Sequence, residues 1–165
     1  MTNCFKKLSL AVLMATAFGV SGSAVAASAT GTANATVLTP IAIATGNTLE
    51  FGSFSAPTAG TVVVSTAGSR SATGGVLLIP GGTVRAGTFT VTGTGTQGFA
   101  ISYPGSVNLT RDGGSETMAL QVSGDATSAL VGGTKTIDIA GTLTVDASQA
   151  SGSYTGTYSM TVEYN

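Results

Sequence analysis

The sequence is dominated by a period of two, in which apolar and polar residues alternate. The clearest case is "TIDIAGTLTV" at residues 136–145, where one face is apolar and the other is rich in threonine. Successive side chains of an extended chain point to opposite sides, so this pattern predicts a strand with one buried and one exposed face. The expected buried face comprises Ile137, Ile139, Gly141, Leu143 and Val145.

Shorter segments repeat the same alternation along the chain. Three of them predict strands whose inward residues are Phe89 and Val91, then Phe99, Ile101 and Tyr103, then Met118, Leu120 and Val122. Further short strands are expected at residues 49–54, 61–65 and 76–79. Glycine-rich turns separate the strands, with Asp112-Gly113 suited to a primed hairpin turn. The pattern after residue 26 shows no sustained helical period and predicts an all-β fold, a β-sandwich of antiparallel strands.

The segment "GSYTGTYSMTVEYN" predicts one core strand over residues 153–165. No further strand follows it in the sequence, so we expect its edge to be open unless another strand covers it. That strand comes either from earlier in the same chain or from a neighbouring chain. The inward face also carries Gly156, and its large residues are the candidate lining of an acceptor groove: Tyr154, Tyr158, Met160, Val162 and Tyr164.

The first residues predict a secretory signal peptide over residues 1–26. Lys6 and Lys7 precede an apolar run over residues 8–20, and small residues at Ala24 and Ala26 favour cleavage after Ala26. Export through the inner membrane follows from this prediction. The single cysteine, Cys4, lies in the removed segment, so the exported part is expected to contain no disulfide.

The next segment, "SATGTANATVL" at residues 28–38, also alternates but carries small inward residues. Pro40 interrupts the run, so Ile41 and Ile43 are expected to begin a separate strand. We therefore predict an N-terminal arm, residues 27–38, hinged to a domain body, residues 39–165. If the arm of one copy fills the groove of the next, the contact is head-to-tail and builds a filament of identical subunits. The candidate donor residues are Ala29, Gly31, Ala33, Ala35, Val37 and Leu38.

Charge and reactive residues are scarce. Only 8% of residues are charged, and Arg70, Arg85, Arg111 and Lys135 face seven acidic residues once the leader is removed, which disfavours nucleic-acid binding. The chain has no histidine, and no cysteine after residue 26, so Ser-His and Cys-His pairs and most zinc sites are ruled out. We predict no catalytic residue, cofactor, metal site or small-molecule substrate.

Two local patterns admit a chemical interpretation that we reject. Asp112 and Glu116 flank a glycine turn, but the spacing is not that of a calcium loop, and a solvated hairpin tip is expected. Gly93, Gly95 and Gly98 fit the phosphate-binding pattern, yet an alternating strand follows them where the mechanism needs a helix N-terminus.

Three stretches carry a family resemblance: "GNTLEFGSF", "SRSATGGVLLIPG" and "DASQASGSYTGTYSMTVEYN". They resemble a cysteine-free family of bacterial exported domains of unknown function, which is in turn similar to spore coat protein U and the Csu-type pilins of archaic chaperone-usher pili. The resemblance implies an incomplete immunoglobulin-like sandwich that is completed by donor-strand exchange. It also implies a periplasmic chaperone and an outer-membrane usher as partners, and a final location in a surface fibre.

Other functions stay open at this point. The main alternative to a fibre subunit is a self-contained secreted β-sandwich that acts as an adhesion or carbohydrate-binding module. Regularly spaced threonines, as in "TFTVTGTGT", can present a flat face, so binding to ice or to another surface is a further alternative. An enzyme is the third choice.

Overall fold

The structure, a computed structural model, describes residue 23 and residues 25–165. The predicted signal peptide therefore lies almost wholly outside the described residues. The chain divides into two units, Met1–Ala35 and Thr36–Asn165. In the first unit the described residues form no strand, and their side chains are exposed. Within the described residues there is also no helix long and apolar enough to span a bilayer.

The second unit is all-β, and every strand pairing in it is antiparallel. The strands are β1 Ala42–Thr45, β2 Glu50–Phe51, β3 Phe54–Ser55, β4 Gly60–Val64, β5 Arg70–Gly74, β6 Leu77–Leu78, β7 Val84–Arg85, β8 Gly87–Thr92, β9 Gly98–Ser102, β10 Ser106–Arg111, β11 Thr117–Ser123, β12 Thr127–Ala129, β13 Thr134–Val145, β14 Tyr154–Thr155 and β15 Thr161–Tyr164. The predicted all-β class is confirmed, and the arrangement is consistent with a β-sandwich.

One large curled sheet is organised by the long strand β13. Its first half pairs with β8, and its second half pairs with β4 and β11. The order across the sheet is β1-β8-β13-β11-β10-β14, with β4 and β5 added beside β13. A separate sheet has the order β12-β9-β15, and two small ladders join β2 to β7 and β3 to β6.

The core lies on the inward faces that the alternation predicts. Along β13 every second residue from Ile137 to Val145 is buried, which confirms the predicted face. β8, β9 and β11 also bury the apolar residues expected of them, except that Tyr103 lies beyond the end of β9 and is half-buried. Burial of such side chains contributes about 1.5–3 kcal/mol each, so these strands supply much of the stability. The largest fully buried side chains are Phe99, Leu130, Ile137, Ile139, Leu143, Val62, Val64, Val91 and Val145.

The sequence predicted one continuous strand over residues 153–165. The structure has two separate strands there, but inward and outward residues alternate as predicted. β14 pairs with β10 in the large sheet, whereas β15 pairs with β9 in the other sheet. Inward residues nevertheless keep the expected side, because Met160 and Val162 are buried and Tyr154, Tyr158 and Tyr164 are half-buried. The C-terminal segment crosses between two sheets without losing its alternation.

Two other local predictions need correction. The predicted strand over residues 49–54 is interrupted at Gly52, whose φ of 66° breaks the extended chain between β2 and β3. The loop between β10 and β11 spans residues 112–116 and has a positive φ at Gly113 but not at Asp112. It is therefore a longer connection than the expected two-residue primed turn.

Candidate functional site

A wide cleft of ≈ 820 Å³ opens into the interior of the domain. One wall is formed by residues 48–57 and the other by residues 148–156. The floor is apolar and belongs to the inward faces of β10, β11 and β13: Leu109, Met118, Leu120 and Leu143. The chain already covers most of this floor, since Leu109 is half-buried and Met118, Leu120 and Leu143 are buried, so the open space lies between the two walls above it.

The first wall approaches the floor closely at Gly141. A Cβ atom at this position would lie 2.7 Å from Leu49 Cδ2 and 2.9 Å from both Phe51 Cζ and Leu120 Cδ1. Any larger residue would therefore push Leu49 and Phe51 outward. Glycine at the middle of β13 lets this wall pack onto the sheet.

Arg70 holds the same wall from outside. Its guanidinium donates hydrogen bonds to the carbonyl oxygens of Phe51 at 2.7 Å, Ser53 at 3.0 Å and Ile79 at 3.2 Å. Three carbonyls bound by one cation tie the loop after β2 to the loop after β6. The position of the wall thus depends on contacts with β5 rather than on a continuous strand.

The second wall is fixed by Tyr154. Its hydroxyl donates to the Ala150 carbonyl at 2.8 Å and accepts from Gln149 Nε2 at 2.8 Å. Beside it, Arg111 Nε donates to Glu116 Oε2 at 2.7 Å across the β10–β11 loop. That hydrogen bond with Arg111 holds the pKa of Glu116 below its ordinary value of 4.5, and the same bond raises the pKa of Arg111.

A narrow cleft of ≈ 250 Å³ borders the wide one. Thr48, Gly156 and Tyr158 line both clefts, so we treat them together as the open groove. The Tyr158 ring meets Phe89 edge-on, with centroids 5.9 Å apart and planes at 74°. Burial raises the pKa of the Tyr158 hydroxyl above its ordinary value of 10.0.

The backbone of residues 156–160 has unused hydrogen-bonding capacity. These residues belong to no strand, and within the described part of the chain none of their backbone groups joins a backbone hydrogen bond. These backbone groups are therefore available to hydrogen-bond a further segment laid beside the groove.

The groove is closed at its other end by β1 and β15. Each of these strands is paired along one edge only among the described strands, β1 with β8 and β15 with β9. Some of their Cα atoms lie within 8 Å of each other, whereas an intervening strand needs about 9–10 Å, twice the normal spacing. The open part of the groove therefore adjoins residues 148–158 rather than β15.

The predicted acceptor residues divide between these two regions. Tyr154 and Tyr158 line the open groove. Met160 and Val162 lie in the core beyond it, only 8% and 9% exposed. Tyr164 packs against the core at the closed end and donates a hydrogen bond to the Thr39 carbonyl.

The predicted donor residues belong to no strand, and all except Leu38 are exposed. Val37 is 94% exposed, which is the largest value among the exposed large hydrophobic residues. Leu38 is half-buried. An alternating segment with an exposed apolar face and no partner strand has the features of a strand donor.

Sequence reasoning missed the floor and the first wall of the groove. Met118, Leu120 and Leu143 were expected to face inward and are buried, but alternation alone does not reveal which inward residues lie beneath a cleft. Glycine at the centre of the inward face of β13 was the available signal, because Gly141 interrupts a row of large residues and indicates close approach from above.

The groove offers little reactive chemistry. Among its lining residues Glu50 is the single carboxylate, and it pairs with Arg85 at 2.7 Å. In the part of the chain that the structure describes, no group of three His, Cys, Asp or Glu residues could hold a metal ion. The groove is suited to contacts with an apolar, hydrogen-bonding segment.

Comparison with known proteins gives one family. The family described as "Domain of unknown function (DUF4402)" matches residues 41–164, which include the whole open groove. No curated protein matches the chain.

Proposed function

This chain belongs to the DUF4402 family of domains of unknown function, and from its open groove we propose that it is a structural subunit of a bacterial surface fibre. The arm of one copy adds a strand to the groove of the next. Because donor and acceptor are different surfaces, the contact repeats without closing and forms a filament.

The observation that carries this proposal is the unpaired backbone of residues 156–160 beside an apolar groove. A strand laid along this backbone would pair its N–H and C=O groups and pack between the walls of the cleft, against the half-buried Leu109 and Tyr158. Each ladder hydrogen bond contributes about 0.5–1.5 kcal/mol net, and burial of apolar side chains adds to it. The exposed alternating arm is the segment of the same chain that has this form.

The route to the surface rests on sequence resemblance. From the resemblance of the three quoted stretches to a family that is in turn similar to spore coat protein U and the Csu-type pilins, we propose an incomplete immunoglobulin-like sandwich completed by donor-strand exchange. We also assign it a signal peptide, a periplasmic chaperone and an outer-membrane usher. The scarcity of reactive side chains in the groove supports a structural subunit without catalytic residues.

A second candidate is a self-contained secreted adhesion or carbohydrate-binding module. It is favoured by one observation, that Tyr154 and Tyr158 both line the open groove, where an aromatic ring can contact a sugar face. Both rings are half-buried and held by other contacts, which favours the fibre subunit.

A competing peptide separates the two candidates. Excess synthetic peptide with the sequence of residues 28–38, added to the exported chain, is expected to stop polymer growth because it occupies the groove before a neighbouring arm does. Polymer size is followed by light scattering. The self-contained module predicts a monomer whose size the peptide leaves unchanged.

Two charged peptides provide the matched control. Ala33→Asp with Ala35→Asp places both carboxylates on the inward face, whereas Asn34→Asp with Thr36→Asp places the same charge on the outward face. An unpaired buried carboxylate costs several kcal/mol, so the first peptide should inhibit at least about a hundredfold less well than the second. Equal inhibition by both peptides would contradict strand addition.

A further inference from the structure

The arm is attached to the domain body through a cluster of hydrogen bonds around Tyr164, which we call the Tyr164 clasp. The Tyr164 hydroxyl donates to the Thr39 carbonyl at 2.9 Å and accepts from the Thr94 amide at 2.8 Å. The Thr39 amide donates in turn to Thr94 Oγ1 at 2.6 Å. Both backbone groups of Thr39, the first residue after the arm, are therefore held.

The surroundings make room for this arrangement. A Cβ atom at Gly93 would collide with the Tyr164 hydroxyl and lie 3.0 Å from Leu130 Cδ1, so only glycine leaves space for the ring. Tyr164 pairs with the buried Phe99 in the β9–β15 ladder and packs against the core. Packing of the ring therefore fixes the position of the hydroxyl independently of its hydrogen bond to Thr39.

The clasp lies at the opposite end of the domain from the wide cleft. Thr92, next to Gly93, pairs with Thr134 at the start of β13, whereas the second wall of the cleft follows Val145 at its end. The twelve residues of β13 span roughly 36 Å. The arm therefore starts far from the wide cleft of its own subunit.

The direction of the chain distinguishes the subunit's own arm from a neighbour's arm. β1 runs from the clasp towards the wide cleft, since Ala42 pairs with Thr92 beside the clasp and Thr45 with Phe89. The C-terminal segment runs the opposite way, from Tyr154 in the wide cleft to Tyr164 in the clasp. To fill its own groove, the arm would have to reverse at Thr39 and then run parallel to residues 154–164. This reversal requires Thr39 to leave its hydrogen bonds, and Pro40 restricts the backbone next to it.

We propose that the Tyr164 clasp is a positioning device that keeps the arm out of its own groove and leaves it available to a neighbouring copy. This inference rests on the proposed function and adds a means by which the arm is kept from filling the groove of its own subunit. Tyr164 acts through its hydrogen bond to Thr39.

Two engineered cysteines report which groove the arm occupies. In the full chain with Cys4→Ser, Asn34→Cys and Thr157→Cys place one thiol on the outward side of the arm and one beside the groove. Opposite side chains on paired strands lie about 4.5–5.5 Å apart, within reach of a disulfide. Oxidation gives a ladder of polymers when the arm enters a neighbour and a cross-linked monomer when it enters its own subunit.

Tyr164→Phe removes the hydroxyl and keeps the ring. We expect the ratio of cross-linked monomer to ladder to rise roughly tenfold, since two hydrogen bonds that hold the arm root are lost. Tyr103→Phe, which removes a hydroxyl that donates to the Gly124 carbonyl and accepts from the Gly124 amide outside the groove and the clasp, should leave the ratio unchanged. Thermal melting checks that both variants are folded.

The outcomes separate the two proposals. An unchanged ratio in folded Tyr164→Phe overturns the role of the clasp while strand addition between copies stands. A predominance of cross-linked monomer in the parent overturns both the clasp and the fibre subunit, because the arm then fills its own groove. Failure to obtain either cross-linked species in any variant overturns both proposals.

Discussion

Moving residues 28–38 from the front of the chain to a position after Asn165 should turn a polymerising protein into a stable monomer. The attached segment would run antiparallel to residues 154–164, in the direction that we propose for a neighbour's arm. Roughly 23 Å of extended chain separates Tyr158 from Asn165, so a flexible linker of about ten residues lets the segment reach the open groove.

The expected gain in stability is large. The added strand pairs the backbone of residues 156–160 and buries its own inward face between the walls of the cleft, but its ordering offsets part of this gain. A net contribution of about 3–5 kcal/mol would raise the melting temperature by about 10–20 °C over the same chain without residues 27–38. Calorimetry and size-exclusion chromatography measure the two effects.

The matched control carries Ala33→Asp and Ala35→Asp in the attached segment. It has the same length and linker but cannot bury its inward face, so it should melt close to the chain without an arm. Equal melting of the rearranged chain, the control and the chain without an arm would show that the groove needs no added strand.

Phe99→Ala should lower the free energy of unfolding by about 3–5 kcal/mol. Phe99 is fully buried in the middle strand of the β12-β9-β15 sheet, where it pairs with Ser128 on one side and Tyr164 on the other. Its removal leaves a cavity and loosens β15 together with the clasp. Denaturant unfolding of the rearranged monomer measures this loss without interference from assembly.

Phe54→Ala is the control for this substitution. Phe54 is half-buried and lines the wide cleft, so its loss enlarges a space that is already open and should cost about 1 kcal/mol. A cost for Phe99→Ala no larger than that for Phe54→Ala would contradict the assignment of the core to the inward face of β9.

Alternation predicted the long strands well and the short strands poorly. The period of two in β13 and β11 survives because one face of each packs on the core along its whole length. β5, β7, β10 and β12 were not expected, since they are short or half-exposed and their own residues give no uninterrupted apolar face. Their positions are set by the strands with which they pair.

The sequence predicted the apolar and aromatic character of the groove better than it predicted the position of the groove. Parity identified Tyr154 and Tyr158, which line it, but also Met160 and Val162, which the chain's own strands cover. The difference arises where residues 156–160 pass from one sheet to the other, and this crossing depends on long-range pairings of β10 and β9. The contact between Tyr164 and Thr39 spans 125 residues and leaves no local signal.

Amide hydrogen exchange at residues 156–160 tests strand addition most directly. In the assembled protein the amides on the groove edge of this segment should exchange much more slowly than in a chain without residues 27–38, because an incoming strand accepts their hydrogen bonds. Thr88 and Thr90, already paired with β1 or β13, serve as internal references. Equally fast exchange at residues 156–160 in both samples, with the references protected, would contradict the proposal.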